Sequence, residues 1–315
     1  GVRGAGTSGE PFRKIEGWAS ARLMGEDRRI TELLRSDSFS PTDEDIRVVR
    51  AKFRSCPGVS ESEMKALDHL IRPPQPSLFG ADETRTWQEW VQWTVHEYVP
   101  YRDWQVRNAQ YEASLEEEVA RFSDWYLDEY ATIHADPGLS LAHSLNDLSP
   151  SASEASLTMV LLIDCLPVSF MALMDDALRN VGFNRHTLQY RFAALPTDTE
   201  HNKPILLSGR WQTGGHGYPA ILDERAAADW DGRHVIYAGS LKALSELTAP
   251  QADTIIVLNF IEGDRVLHSD VEAINSTYEE ELYRLFGRVA EAVSSRIEAW
   301  ALSREQISVH VVTDH

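Results

Sequence analysis

Hydrophobic and polar positions follow two rhythms along this chain, and the change falls across a serine-rich stretch near its middle. Upstream, apolar residues recur every three or four positions, the period of a helix with one buried face. Ser40-Pro41-Thr42-Asp43-Glu44 ahead of Ile46 and Val49 predicts a helix start, with acids suited to the macrodipole in the first turn. Pro73-Pro74 predicts a stop. Trp87, Trp90, Val91, Val95 and Tyr98 then put an aromatic stripe on one helical face. Trp104, Tyr111, Leu115, Val119, Phe122, Tyr126 and Ile133 trace one long amphipathic helix that ends at Pro137-Gly138. Packing between helices is the first use of such a stripe, and a ligand platform the alternative.

Downstream the rhythm becomes β-α-β. Leu157–Ile163 reads as a buried strand with a helix near 168–181, Gln189–Leu195 as a strand with a helix from Thr199, and His234–Ala238 as a strand with helix Leu241–Leu247. Thr254–Phe260 is a strand before a long helix over 272–301, and Ile307–Val312 is the last strand. Alternating strands and helices predict an α/β fold, a mostly parallel sheet flanked by helices, preceded by an all-helical domain. The expected division is a flexible leader over 1–9, a helical domain over 10–138, a Ser-rich linker over 139–156 and the α/β domain over 157–315.

Composition narrows the function classes. Thirty Lys and Arg against 49 Asp and Glu give a net charge of −19, which argues against non-specific coating of nucleic acid. A small phosphate-bearing substrate stays open, because a bound metal can supply local positive charge. Two cysteines, Cys56 and Cys165, exclude a disulfide framework. The longest apolar run, Leu157 to Cys165, is too short for a bilayer, so no membrane partner is expected. Gly1 begins without Met and without a signal-peptide pattern, which predicts a cytoplasmic fragment or processed chain.

Ligands of parallel sheets gather at the carboxyl ends of the strands. There the sequence places Asp164, then Pro196-Thr197-Asp198-Thr199, then Asp264 and His268 in a D-x-x-x-H spacing, then Thr313-Asp314-His315. Oxygen and nitrogen donors of this kind suit zinc or manganese. Each motif has a plainer use. Asp164 can cap a helix, Thr199 can be an N-cap, the histidines can be surface residues, and Cys165 a small buried one. The glycine-rich turn Gly214-Gly215-His216-Gly217 reads as a surface loop.

The order of these motifs resembles the alkaline phosphatase superfamily, and their wording its PglZ branch, met in BREX-type phage-defence systems. The residues that carry the resemblance are Val160-Leu-Leu-Ile-Asp164, Leu195-Pro-Thr-Asp-Thr199-Glu200, Asn259-Phe-Ile-Glu-Gly-Asp264 and Val311-Val-Thr-Asp-His315. The resemblance covers about residues 157–315 and not the helical half. It implies a metal-dependent hydrolase of phosphate esters with two divalent ions, zinc first and manganese or magnesium as alternatives. Asp164, Thr199, Asp314 and His315 would hold one ion, Asp264 and His268 the other, and Thr199 would be the nucleophile. A metal-bound hydroxyl beside helix N–H groups suits that role. Asn202 and Lys203, on the next turn, are expected at the substrate's phosphate oxygens. The family's further histidine lies downstream of the Asp-His pair, so the chain looks truncated after His315 and its second ion site incomplete, leaving this fragment weak or inactive.

A nucleotide or nucleic acid is a candidate substrate, and a BREX-type complex with a DNA methyltransferase a candidate partner. The alternative is a non-catalytic scaffold of a defence complex. A mutase-like isomerase ranks last, because only roughly 60 residues separate Thr199 from Asp264, too few for an inserted domain. Cys165-Leu-Pro167-Val-Ser169 resembles the sulfatase cysteine motif but has Ser169 where those enzymes need Arg.

Overall fold

A computed structural model describes residues 19, 22–23, 26–35, 42–56, 59, 67, 70, 72–80, 83–107, 111–146, 148, 157–211, 216–269 and 278–315. The chain forms two compact units, Gly1–Ser123 and Asp124–His315. The expected leader over 1–9 lies outside the described residues.

In the first unit, α1 (Asp27–Arg35) and α2 (Asp43–Arg54) bury Ile30, Leu34, Ile46, Val49 and Phe53 against Leu23 and Leu67. Helix α2 starts where the sequence predicts. The Thr42 hydroxyl accepts from Asp45 N at 3.2 Å and the Asp45 carboxylate accepts from Thr42 N at 2.9 Å, a reciprocal capping box. Thr86 and Glu89 cap α3 (Trp87–Trp93) in the same way. A π-turn over Thr94–Tyr98 leads into α4 (Val99–Arg107), and α5 (Ala113–Asp128) follows. Of the aromatic stripe, Trp90 packs on a buried ion pair, with Arg85 Nη2 2.6 Å from Glu118 Oε1 and its guanidinium over the rings of Phe79, Trp90 and Trp93. Trp90 is buried, whereas Trp87 of the same stripe is exposed.

The single helix expected over 104–133 is instead divided into α4, α5 and α6 (Tyr130–Ala135). A hydrophobic period survives a break that preserves the buried face, so periodicity alone does not show it.

The second unit is an α/β fold around a four-stranded, all-parallel sheet. Its strands are β1 (Leu157–Ile163), β2 (Val235–Ala238), β3 (Ile255–Phe260) and β4 (Ile307–Val312), in spatial order β2-β3-β1-β4. Thr158 pairs with Ile255 and Ile163 with Phe260, while Leu157 pairs with Ile307 and Leu162 with Val312. Strands β1 and β3 are buried along their whole length, which is why both read as unbroken apolar runs. Met159, Leu161, Ile163, Ile256, Leu258 and Phe260 face α7 (Met171–Asn180), α10 (Leu241–Glu246) and α12 (Tyr278–Ala299). Val160, Leu162, Ile255 and Val257 face α8 (Thr199–Ser208) and α9 (Tyr218–Asp229). A short helix, α11 (Glu262–Leu267), follows β3.

Three expectations change. Leu141, Leu145 and Leu148, within the stretch read as a linker, are core residues under the second sheet face. Serine density there reflects turns, with Ser140 accepting from Ala142 N, and the remainder from 149 to 156 lies outside the described residues. Gln189–Leu195 is extended but is not a sheet strand. Phe192 instead pairs with the turn before Leu141, donating to Leu139 O at 2.8 Å and accepting from Leu141 N at 3.0 Å. Helix α9 is not foreseen by the sequence reading. No helix of the described residues is long and apolar enough to cross a membrane.

Candidate metal centre at the carboxyl ends of the strands

Three strands and one helix bring the candidate residues to one edge of the sheet. Asp164 follows β1, Asp264 lies in α11 just after β3, and Asp314 and His315 follow β4. Thr199 arrives by a loop with a cis Leu195–Pro196 bond and begins α8. Strands β3 and β4 both flank β1, so their ends are neighbours.

Local bonds fix this edge. Asp164 N donates to Phe260 O at 2.9 Å, continuing the ladder one residue past the strand. Thr313 Oγ1 accepts from Leu166 N at 3.0 Å and donates to His315 O at 2.8 Å, tying the turn after β1 to the end of β4. A Cβ on Gly263 would stand 3.2 Å from the Asp164 carbonyl oxygen, so a side chain there would have to push α11 and the end of β1 apart by a few tenths of an ångström.

Asp164, buried, is the hub. Its Oδ1 accepts from Thr199 Oγ1 at 3.0 Å and its Oδ2 from Lys203 Nζ at 2.7 Å. Lys203 Nζ also lies 3.8 Å from Asp314 Oδ2. Asp314 is wholly buried, yet neither of its carboxylate oxygens has a hydrogen-bond partner, nor does the buried Nδ1 of His315. Burial pushes the Asp314 carboxyl above the usual range; Lys203 opposes this and the Asp164 charge adds to it. Burial, then the charges of Asp264, Asp164 and Asp314, push the Cys165 thiol up to about 11.

Two triads could hold a metal ion among the described residues: Asp164, Asp314 and His315, and Cys165, Asp264 and His315. In each, one ligand atom per residue lies within 4.8 Å of the others. The His315 Nδ1 lies 3.4 Å from Asp314 Oδ1 without a hydrogen bond between them, and buried carboxylate oxygens left so loosely paired have room for a cation. The donor chemistry fits a divalent metal.

Each predicted site residue can now be placed. Asp164, Thr199, Asp264, Asp314 and His315 come together. His268 stays at the rim, its side chain 80% exposed and its Nε2 3.3 Å from Asp264 Oδ1. Thr199 is not the helix cap. Asp198 is, accepting from His201 N at 2.9 Å, which leaves the Thr199 hydroxyl for Asp164. Asn202 and Lys203, expected at substrate oxygens, turn inward instead. Asn202 is wholly buried; its Oδ1 accepts from Ala194 N at 2.7 Å and its Nδ2 donates to Ala194 O and Pro196 O. Lys203 is 1% exposed and serves the two aspartates. A helix carrying a core face at Leu206 and Leu207 must also bury the residues one turn earlier on that face.

The sequence reading passed over two neighbours. Cys165 was set aside as packing, although it directly follows Asp164 at a strand end. Tyr218, at the start of α9, lies within the field of Asp314 and Asp164, and burial followed by those two charges raises its hydroxyl. The turn before it places His216 and Gly217 at the surface, with residues 212–215 outside the described set. Compared with known protein families and with curated proteins, the chain matches none.

Proposed function

We propose that the α/β unit is a metal-dependent hydrolase of phosphate esters, a phosphatase or phosphodiesterase of the PglZ type built on an alkaline-phosphatase-like core. The observation that carries this reading is the Thr199 hydroxyl. It sits in the first turn of α8, bonded to Asp164, beside an Asp314 carboxylate that no hydrogen bond satisfies. An ion at this edge would be held by one of the two triads that share His315, Asp164 with Asp314 or Cys165 with Asp264. A bound divalent ion would supply Lewis-acid polarisation of a phosphoryl oxygen.

The chain's own residues do the remainder. Asp164 accepts the Thr199 hydroxyl hydrogen and so aims the oxygen lone pairs away from itself, toward a substrate. The first turn of α8 offers backbone N–H groups to a phosphate at the helix start. Lys203 holds the Asp164 carboxylate in one orientation. Zinc, manganese or magnesium would each suit oxygen donors, with zinc favoured by the imidazole and thiol nearby.

One observation favours the second reading, a non-catalytic scaffold. Lys203 already neutralises Asp164 from within the fold. Release of nitrophenol from mono- and bis-nitrophenyl phosphate, with and without each metal, decides between them. Metal-dependent turnover lost in Thr199→Ala supports the hydrolase; no turnover on either ester with any metal supports the scaffold. A cytoplasmic role in phage defence, with a nucleotide or nucleic-acid substrate and a methyltransferase partner, rests on the resemblance alone.

A further inference from the structure

We propose that this edge holds one soft divalent ion on Cys165, Asp264 and His315, while Lys203 stands as the chain's own cation at the adjacent Asp164–Asp314 position. The proposal deepens the hydrolase reading and rests on it for the purpose of the site, though not for the binding itself.

The argument begins with charge. A divalent ion between Asp164 and Asp314 would meet the Lys203 ammonium, 2.7 Å from one carboxylate and 3.8 Å from the other. Lys203 projects from α8, is 1% exposed and so has no solvent to retreat into. That position is therefore filled by the protein. The second triad shares His315 but lacks Lys203.

Its donors are a thiol, a carboxylate and an imidazole. This set selects zinc over magnesium or calcium, because thiolate is a soft ligand. Three protein ligands with an open fourth position is the pattern of catalytic rather than structural zinc. The ligand atoms, within 4.8 Å of one another, need to close by only about 1 Å to stand where bonds of about 2.0–2.3 Å would place them. His268 is excluded, since its side chain is 80% exposed and reaches only Asp264. Of this triad, His315 has its Nδ1 buried without a hydrogen bond, 3.4 Å from Asp314 Oδ1. On binding, the Cys165 S–H proton passes to solvent and the sulfur takes the metal in its place.

Cobalt titration of the full chain tests this without any turnover. The expected result is one equivalent of cobalt with a near-ultraviolet thiolate charge-transfer band, displaced by zinc and not by magnesium. Cys165→Ser, checked for fold by circular dichroism, should lose the band and weaken binding at least about tenfold. Cys56→Ser should keep the band. Lys203→Met should raise the stoichiometry from one ion to two by opening the aspartate pair. Cobalt bound to the unmodified chain with no thiolate band, or two equivalents bound with Lys203 in place, would overturn the proposal. A single cobalt with the band but no ester hydrolysis would keep this site and remove the hydrolase reading. Magnesium-driven hydrolysis with no thiolate band would do the reverse.

Discussion

Thr199 and Asn202 stand three residues apart on α8 and do opposite work. Thr199 is half-buried and spends its hydroxyl on Asp164, so Thr199→Ala removes one hydrogen bond to a charged group and little packing. The expected stability loss is about 1–2 kcal/mol, with ester hydrolysis abolished and metal content unchanged. Denaturant melts, metal analysis and turnover on one preparation check all three. Asn202 has no such exposure. It satisfies the backbone of Ala194 on both sides and the carbonyl of Pro196, so it shapes the loop that delivers Thr199. Asn202→Ala strands a buried N–H and C=O and should cost about 2–4 kcal/mol. Asn202→Asp sets a carboxylate oxygen against the carbonyls of Ala194, Pro196 and Asp198 in a buried site and should cost at least as much. Equal melts for Asn202→Ala and the parent would show that this brace is not needed.

At the scale of elements, α8 is a strut between the site and the core. Its first turn presents Thr199, and its last carbonyls are held from the side. Arg225 of α9 donates to Leu206 O at 2.6 Å and Leu207 O at 3.1 Å, and reaches Asn146 Oδ1 at 2.8 Å. A guanidinium at a helix C-terminus complements the macrodipole. Gly209 closes the helix at φ +71, with its Cβ direction filled by Arg225 at 3.0 Å, so both conformation and space demand glycine there. Burial lowers the Arg225 pKa to about 10 and leaves it charged at neutral pH. Arg225→Met should cost about 2 kcal/mol and loosen Thr199 as well, raising KM and lowering kcat together. Arg225→Lys should recover less than half of that loss, because an ammonium lacks the planar fork. An unchanged melting curve for Arg225→Met would sink this account of the strut.

For the whole molecule, the net charge of −19, the buried His134 and the half-buried His310 set the response to acid. His134 bonds Tyr126 through Nε2 at 2.9 Å, and burial lowers its pKa from 6.5. Burial, then the Arg233 charge, lowers His310 in the same direction. A depressed histidine binds its proton in the unfolded chain before the folded one. Its full contribution is present above 6.5 and is lost as pH falls through the folded value. Asp314 acts in the opposite sense: its raised pKa favours the protonated fold, so that contribution is lost as pH rises. The unfolding midpoint should therefore drop between about pH 7 and pH 5.5, and His134→Gln should flatten part of that slope. Parallel slopes for parent and variant would mean that His134 does not carry it.

Strands β1, β3 and β4 are legible in the sequence because a strand buried on both faces must be an apolar run, and the edge where Asp164, Asp264, Asp314 and His315 meet follows from parallel strand direction. The start of α2 is legible for a local reason: its whole cap, Thr42 to Asp45, lies within four residues. What the sequence leaves open is whatever depends on a partner far along the chain. Residues 141–148 read as a linker because serines crowd the stretch around them, and only the sheet face above them makes Leu141, Leu145 and Leu148 core. Gln189–Leu195 has strand composition, but its backbone pairs through Phe192 with Leu139 and Leu141, a partner roughly 50 residues away, and not with the sheet. Lys203 lies 39 residues from Asp164 and 111 from Asp314, and nothing local to it signals that its ammonium ends between two buried carboxylates. Residue types at strand ends determined which chemistry is available at this edge. Tertiary packing decided which of those groups come together and which are already paired within the fold, because charge pairing depends on distance in space and not on separation in sequence.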